Sequence, residues 1–241
     1  MSGPAVHGPV AGVGRVRIKV CGVTRPQDAL AAEAAGVDAV GLIFAPGSRR
    51  RVDLARAAEV VADLGAFVAR VGVFVAPAPG EVDAAVARLR LHAVQLHDAD
   101  GTGRGDAAAG RVDPAWIADL RQRVAVVRAV AWRPGLAEDS LAEVAGDLLL
   151  VDGPRAGSGV PFDWAAAAGL RRLGRLRRWA LAGGLDAGNV GAAIARLRPW
   201  AVDVASGVEA APGVKDPRRI AAFVRAVRVA EEAGGGPGAA P

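Results

Sequence analysis

Residues Val16–Phe44 read VRIKVCGVTRPQDALAAEAAGVDAVGLIF, and this stretch decides the fold. It opens with a short run rich in Val and Ile, Val16–Cys21. An Ala-rich segment of helical character follows, and a second apolar run, Ala39–Phe44, closes it. Thr24 and Gln27 have the spacing of a capping box, with Pro26 in the first turn. The second run is continuously apolar, as expected for parallel strands covered on both faces, while the first carries Arg17 and Lys19 between Val16, Ile18 and Val20. The unit is strand, helix, strand.

The same rhythm continues along the chain. Further strand candidates are Ala69–Val75, Ala93–Leu96, Ala125–Ala131, Leu148–Val151, Arg178–Leu181 and Val202–Val204, which makes eight in all. Asp113-Pro114 and Asp216-Pro217 each place a capping acid before a proline at the first helical position. Asp53, Asp163 and Asp186 are further candidate caps. Alternating strands and helices predict an α/β fold with a parallel sheet. Eight units, in a chain of 241 residues, predict a single (β/α)8 TIM barrel, a fold that typically runs to about 250 residues. The expected catalytic domain is 15–232, with flexible termini at 1–14 and 233–241. The polar stretch Asp98–Arg111 reads as a surface loop. Its Gly101-x-Gly103-x-Gly105 lacks the spacing and helix of a dinucleotide fingerprint.

Composition narrows the function. Hydrophobic residues make up 52% of the chain, which excludes a disordered class. No apolar run reaches the roughly 20 residues of a membrane span. The first residues lack the pattern of a signal peptide, so the expectation is a cytoplasmic protein with no membrane partner. Cys21 is the only cysteine, and His7, His92 and His97 have no metal-ligand spacing, so no metal is expected. The net charge is +5, yet the arginines are dispersed among acids. Tyrosine is absent and aromatics are only 4%, which leaves little base-stacking surface. Nucleic acid is therefore not the expected partner. A small substrate carrying phosphate and carboxylate suits the basic balance.

In such a barrel, chemistry sits where strands end and the following loops begin. Cys21 stands at the end of the first strand. Taken alone it is more readily a small core residue than a base. A free thiol titrates near about 8.5, so a base at this position needs local help. Arg49, Arg50 and Arg51 follow the second strand, and guanidinium binds carboxylate bidentately. Asp152 ends the sixth strand, where burial raises a carboxyl toward the range of a general acid. Gly183 and Gly184 follow the seventh strand, and Ser206 and Gly207 the eighth. Small residues there let backbone N–H groups approach an anion, at the place where many such barrels hold phosphate.

Seven segments carry a resemblance. They are KVCGVT (Lys19–Thr24), GLIFAPGSRR (Gly41–Arg50), VQLHD (Val94–Asp98), LLLVDG (Leu148–Gly153), GSGVPFDW (Gly157–Trp164), ALAGGLDAGNV (Ala180–Val190) and VDVASGVEAAPGVKD (Val202–Asp216). Together, and in this order, they resemble the phosphoribosylanthranilate isomerase family of tryptophan biosynthesis.

The resemblance implies an Amadori rearrangement of N-(5-phosphoribosyl)anthranilate to 1-(2-carboxyphenylamino)-1-deoxyribulose 5-phosphate. It implies Cys21 as base and Asp152 as acid. It implies Arg50 facing the anthranilate carboxylate, His97 and the loop residues Gly157, Ser158 and Gly159 lining the substrate, and Gly183, Gly184, Ser206 and Gly207 holding the phosphate. No cofactor is implied, because the Schiff-base nitrogen of the opened substrate serves as electron sink. The chain departs from the family at Arg51, where an aromatic residue is frequent, at Asp98, where glycine is, and at Ala205, where a second serine is. A monomer is the mild expectation, with a homodimer as the alternative.

Overall fold

The computed structural model describes residues 15–99, 112–133, 141, 144–153, 164, 167–176 and 178–235. Residues 100–111 of the anticipated loop Asp98–Arg111, the candidate cap Asp163, the N-terminal tail 1–14 and the end of the C-terminal tail, 236–241, lie outside them.

Eight parallel strands close into a barrel in chain order. They are β1 (Arg17–Cys21), β2 (Ala39–Ile43), β3 (Ala69–Val75), β4 (Ala93–His97), β5 (Ala125–Ala131), β6 (Leu148–Asp152), β7 (Trp179–Leu181) and β8 (Ala201–Val204). All eight expected strands are present, with ends that differ by at most one residue. The described helices around them are α1 (Pro26–Ala34), α2 (Leu54–Val61), α3 (Pro79–Leu89), α4 (Pro114–Leu120), α5 (Leu173–Leu176), α6 (Val190–Leu197) and α7 (Pro217–Ala230).

The two faces of each strand meet different neighbours. On β1, Ile18 and Val20 are fully buried in the large apolar layer between barrel and helices. Arg17, Lys19 and Cys21 alternate with them, because successive side chains of a strand point to opposite faces. The lumen holds a second, smaller apolar cluster of Val127, Ala129, Leu150, Ala180, Ala182 and Ala201. Short side chains there leave the centre to a few polar groups from the other strands. The helices dock through one apolar stripe each. On α7 this stripe is Ile220, Phe223, Val224, Val227 and Ala230, a helical spacing. Each large apolar side chain so buried contributes about 1.5–3 kcal/mol.

Caps fall largely where the sequence places them. Asp53 accepts from the Arg56 N–H (2.7 Å), Asp113 from Ala115 (2.8 Å) and Asp216 from Arg218 (2.8 Å). Asp186 accepts from Gly188 (2.8 Å) and Asn189 (3.0 Å), one turn ahead of α6. The expected Thr24 capping box does not form. Arg25 is the N-cap of α1, without a side-chain bond. Thr24 Oγ1 instead donates to the Gly213 carbonyl (2.6 Å), because a hairpin passes over it. That hairpin, β9 (Glu209–Ala211) with β10 (Val214–Lys215), is an addition that the sequence reading does not contain.

Asp98 also finds its reason here. One carboxylate oxygen accepts from the Val112 N–H (2.9 Å), and the other pairs with Arg128 Nη2 (2.8 Å), both side chains being almost wholly buried. Arg128 donates in addition to the Leu96 carbonyl (3.3 Å). One aspartate thus ties the two ends of the segment between β4 and α4 to strand β5. Replacing Asp98 by Ala strands a buried guanidinium, and such losses cost about 3–5 kcal/mol. Urea unfolding of Asp98→Ala is expected to show a loss of that size, and a loss within experimental error of zero contradicts the role.

Candidate active site

Cys21 is the last residue of β1 and points into the mouth of the barrel, with its side chain buried. Burial pushes its thiol up, because the thiolate loses water. Lys19 opposes that shift through its positive charge.

Lys19 stands two residues below Cys21 on the same face. Its neighbour in the ladder is Asp203 of β8, and the two pair at 2.7 Å. The ammonium also donates to Gln95 Oε1 of β4 (2.9 Å). That contact orients the next one. A lysine only donates, so Gln95 turns its oxygen to Lys19 and its NH2 toward His97. Gln95 Nε2 then donates to His97 Nε2 (2.9 Å), which makes His97 a neutral imidazole carrying its proton on Nδ1. Burial, with Lys19 and Arg128 nearby, holds its pKa down at about 4. His97 is therefore a neutral part of the lumen wall, not an acid–base group at neutral pH.

Asp152 ends β6, on the wall across from Cys21. Its Oδ1 accepts from the Gly153 N–H (2.7 Å). Gly183, in the loop after β7, lies directly against it. A Cβ on Gly183 would sit 2.5 Å from Gly153 N and 2.9 Å from Asp152 Oδ1, and its φ of +90° disfavours any side chain. The conformation continues through Gly184, whose carbonyl accepts from Asn189 Nδ2 (2.8 Å). Ser206 and Gly207 form a tight 3₁₀ turn after β8. That turn packs on the loop after β7, with the Leu185 carbonyl filling the place where a Gly207 side chain would go. The two glycine-bearing turns are thus one surface.

Arg50 is held. Its Nε and Nη2 donate to the two carboxylate oxygens of Glu209, both at 2.8 Å. Glu209 also accepts from Lys215 Nζ (2.8 Å) and the Gly213 N–H (3.1 Å), and Lys215 donates to the Ala205 carbonyl (3.0 Å). These partners hold the Glu209 carboxyl below its usual range despite burial. Among the described residues, neither Arg49 nor Arg51 has such an ion pair. Among the three arginines, the ion pair singles out Arg50 as the fixed one. Gly157, Ser158 and Gly159 lie outside the described residues.

The described structure therefore brings Cys21, Asp152, Arg50, His97 and the two small turns to one end of the barrel. The sequence reading misses Lys19, Gln95, Asp203, Glu209 and Lys215 as members of the site. A signal was available for the first: Lys19 and Cys21 are separated by two, so on a strand they share a face. Glu209 had none, because its place depends on the hairpin.

Comparison with known proteins agrees with this geometry. The profile of N-(5'-phosphoribosyl)anthranilate isomerase matches residues 18–226. A protein of that name from Deinococcus radiodurans is 40% identical over 219 residues, which cover 89% of this chain and 98% of that one. A crystal structure of the Thermus thermophilus enzyme superposes with a TM-score of 0.76 at 39% identity, covering 89% and 99% of the two chains. Another crystal structure of such an isomerase, in complex with reduced 1-(o-carboxyphenylamino)-1-deoxyribulose 5-phosphate, has a TM-score of 0.75 and 34% identity, with the same coverage. With the closed barrel and the convergent mouth already in place, these likenesses show that the chain belongs to the N-(5'-phosphoribosyl)anthranilate isomerase family.

Proposed function

We propose that the chain converts N-(5-phosphoribosyl)anthranilate to 1-(2-carboxyphenylamino)-1-deoxyribulose 5-phosphate, with Asp152 as general acid and Cys21 as general base. The observation that carries the residue roles is the placement of these two proton-transfer groups on facing walls of one mouth, beside paired small turns suited to phosphate.

The chemistry follows from that placement. Asp152 gives a proton to the furanose ring oxygen. The bond from that oxygen to C1 breaks, and the amine lone pair forms the C1=N bond of a protonated Schiff base. The Cys21 thiolate then takes the proton from C2, and the C2–H electrons neutralise the iminium nitrogen. The enolamine then loses the proton of its C2 hydroxyl as the C2=O bond forms, and the C1=C2 electrons take up a proton at C1, so C2 is oxidised and C1 reduced within one molecule. Arg50 keeps three of its five N–H donors after pairing with Glu209, and these suit the anthranilate carboxylate. N–H groups around Gly183, Gly184, Ser206 and Gly207 take the phosphate. His97 lines the sugar, and Gly157, Ser158 and Gly159 belong to the loop beside it.

The catalytic domain is taken as 15–232. A monomer is taken as the working unit, with a homodimer as the alternative. No described helix is long and apolar enough to cross a membrane, and a cytoplasmic location fits the biosynthetic role.

The test generates the substrate in place from anthranilate and phosphoribosyl pyrophosphate with anthranilate phosphoribosyltransferase, and follows loss of its fluorescence. Cys21→Ser and Asp152→Asn should each slow turnover by about 10²–10⁴-fold while folding as the parent does. Near-parental rates in either variant remove that residue from its role.

Gly183→Ala should lower kcat/KM by about 10²-fold, since its Cβ must displace the acid it touches. A parental rate there means that Asp152 need not be held.

The pH dependence has a definite sign. The base acts as thiolate, and burial raises its pKa, so the active form is lost as pH falls. kcat/KM should climb with pH past neutrality, without a histidine limb near 6.5, and a profile flat between pH 6 and 9 contradicts this.

A further inference from the structure

Lys19 and Lys215 are the only lysines among 30 basic residues; Lys215 is buried and Lys19 largely so, and the charge of each acts on the only cysteine. Elsewhere the chain meets its need for positive charge with arginine. Lys215 is occupied: Glu209 and the Ala205 carbonyl take its ammonium, and its charge acts on Cys21 only weakly. Lys19 is different. It lies in the lumen with Asp203 and Gln95 as acceptors, two residues from Cys21 on the same strand face, and it leaves one N–H free of them.

Gly41 of β2 shows how close the two side chains come. It is the register partner of Cys21. A Cβ built on it would sit 2.7 Å from Cys21 Sγ and 3.1 Å from Lys19 Cε, so thiol and lysine stem meet over the same bare spot of backbone. An ammonium is a compact point charge with three rotatable donors, which suits acceptors that converge from several strands.

We propose that Lys19 is a positioning residue for the reaction: clamped by Asp203 and Gln95 below the barrel rim, its ammonium holds the Cys21 thiolate that takes the substrate proton. This rests on Cys21 as the base for its effect on turnover. The neighbouring charges are accounted for. Lys19 of β1, Arg50 after β2, Asp203 of β8 and Lys215 of β10 face the thiol. His97 of β4 is neutral, Glu209 is occupied by Arg50 and Lys215, and Asp152 of β6 stands across the mouth. Asp203 holds Lys19 protonated but weakens its pull on the thiolate, so the two act on Cys21 with opposite signs.

That opposition supplies the test. Because Cys21 is the only cysteine, thiolate absorbance at 240 nm, with Cys21→Ser subtracted, titrates it alone in the whole folded chain without substrate. Lys19→Met should move the midpoint up by about one to three pH units, and the rising limb of kcat/KM should move with it. Asp203→Asn should move the thiol midpoint down. A purely structural role for the pair does not give opposite shifts. An unmoved midpoint in folded Lys19→Met overturns the proposal. If that variant does not fold, Asp203→Asn decides, and an unchanged or raised midpoint overturns it. Failure of the base assignment is a separate result: Cys21→Ser would then turn over normally, whatever the thiol titration shows.

Discussion

Everything at the mouth of this barrel depends on the ladder that closes it. Strand β1 pairs with β8 so that Arg17, Ile18, Lys19 and Val20 face Ala201, Val202, Asp203 and Val204. Closure satisfies backbone groups that an open edge would leave exposed. It also joins residues from the two ends of the chain. Lys19 and Asp203 are distant in sequence but adjacent in register. A slip of one residue would turn Lys19 and Cys21 toward the helices and Ile18 and Val20 into the lumen. The apolar layer outside and the polar pair inside therefore enforce the same register.

The site is a set of charges that are paired before any substrate arrives. Asp203 faces Lys19, Glu209 faces Arg50 and Lys215, and Asp98 faces Arg128. A buried charge is tolerable only when it is paired and hydrogen-bonded. Pairing also fixes direction: Gln95 can face only one way between Lys19 and His97, so the imidazole is neutral. The hairpin β9–β10 belongs to this scheme. Thr24 holds its turn, Asp28 accepts from the Lys215 N–H (3.0 Å), and Glu209 holds Arg50. Loops after β1, β2 and β8 are thereby one body, while the loops after β7 and β8 are packed through Gly207.

Much of this was legible in the sequence, for physical reasons. Parallel strands covered on both sides must be nearly continuous apolar runs, and eight such runs stand out. Asp152 at the end of such a run is conspicuous because apolar packing gives a carboxylate no purpose, whereas Cys21 alone also suits a small core position and gains weight only beside the other motifs. Proline after Asp113 and Asp216 marks helix starts unambiguously. Less legible was anything that depends on tertiary pairing. Thr24 has the spacing of a cap but bonds to a hairpin some 190 residues away, which local pattern does not encode. Asp98 looked like a departure until Arg128 and Val112 appeared beside it. The help that Cys21 needs was written two residues earlier, as Lys19, in the period of a strand. Its acceptors, Gln95 and Asp203, come from strands that only barrel closure brings near.

The most direct measurement is a crystal structure of this chain with reduced 1-(o-carboxyphenylamino)-1-deoxyribulose 5-phosphate. The account places its phosphate on the turns of Gly183-Gly184 and Ser206-Gly207, its carboxylate at Arg50, and the sugar carbons next to the amine between Cys21 and Asp152. A phosphate bound away from those turns, or a sugar chain out of reach of Cys21 or Asp152, would contradict it.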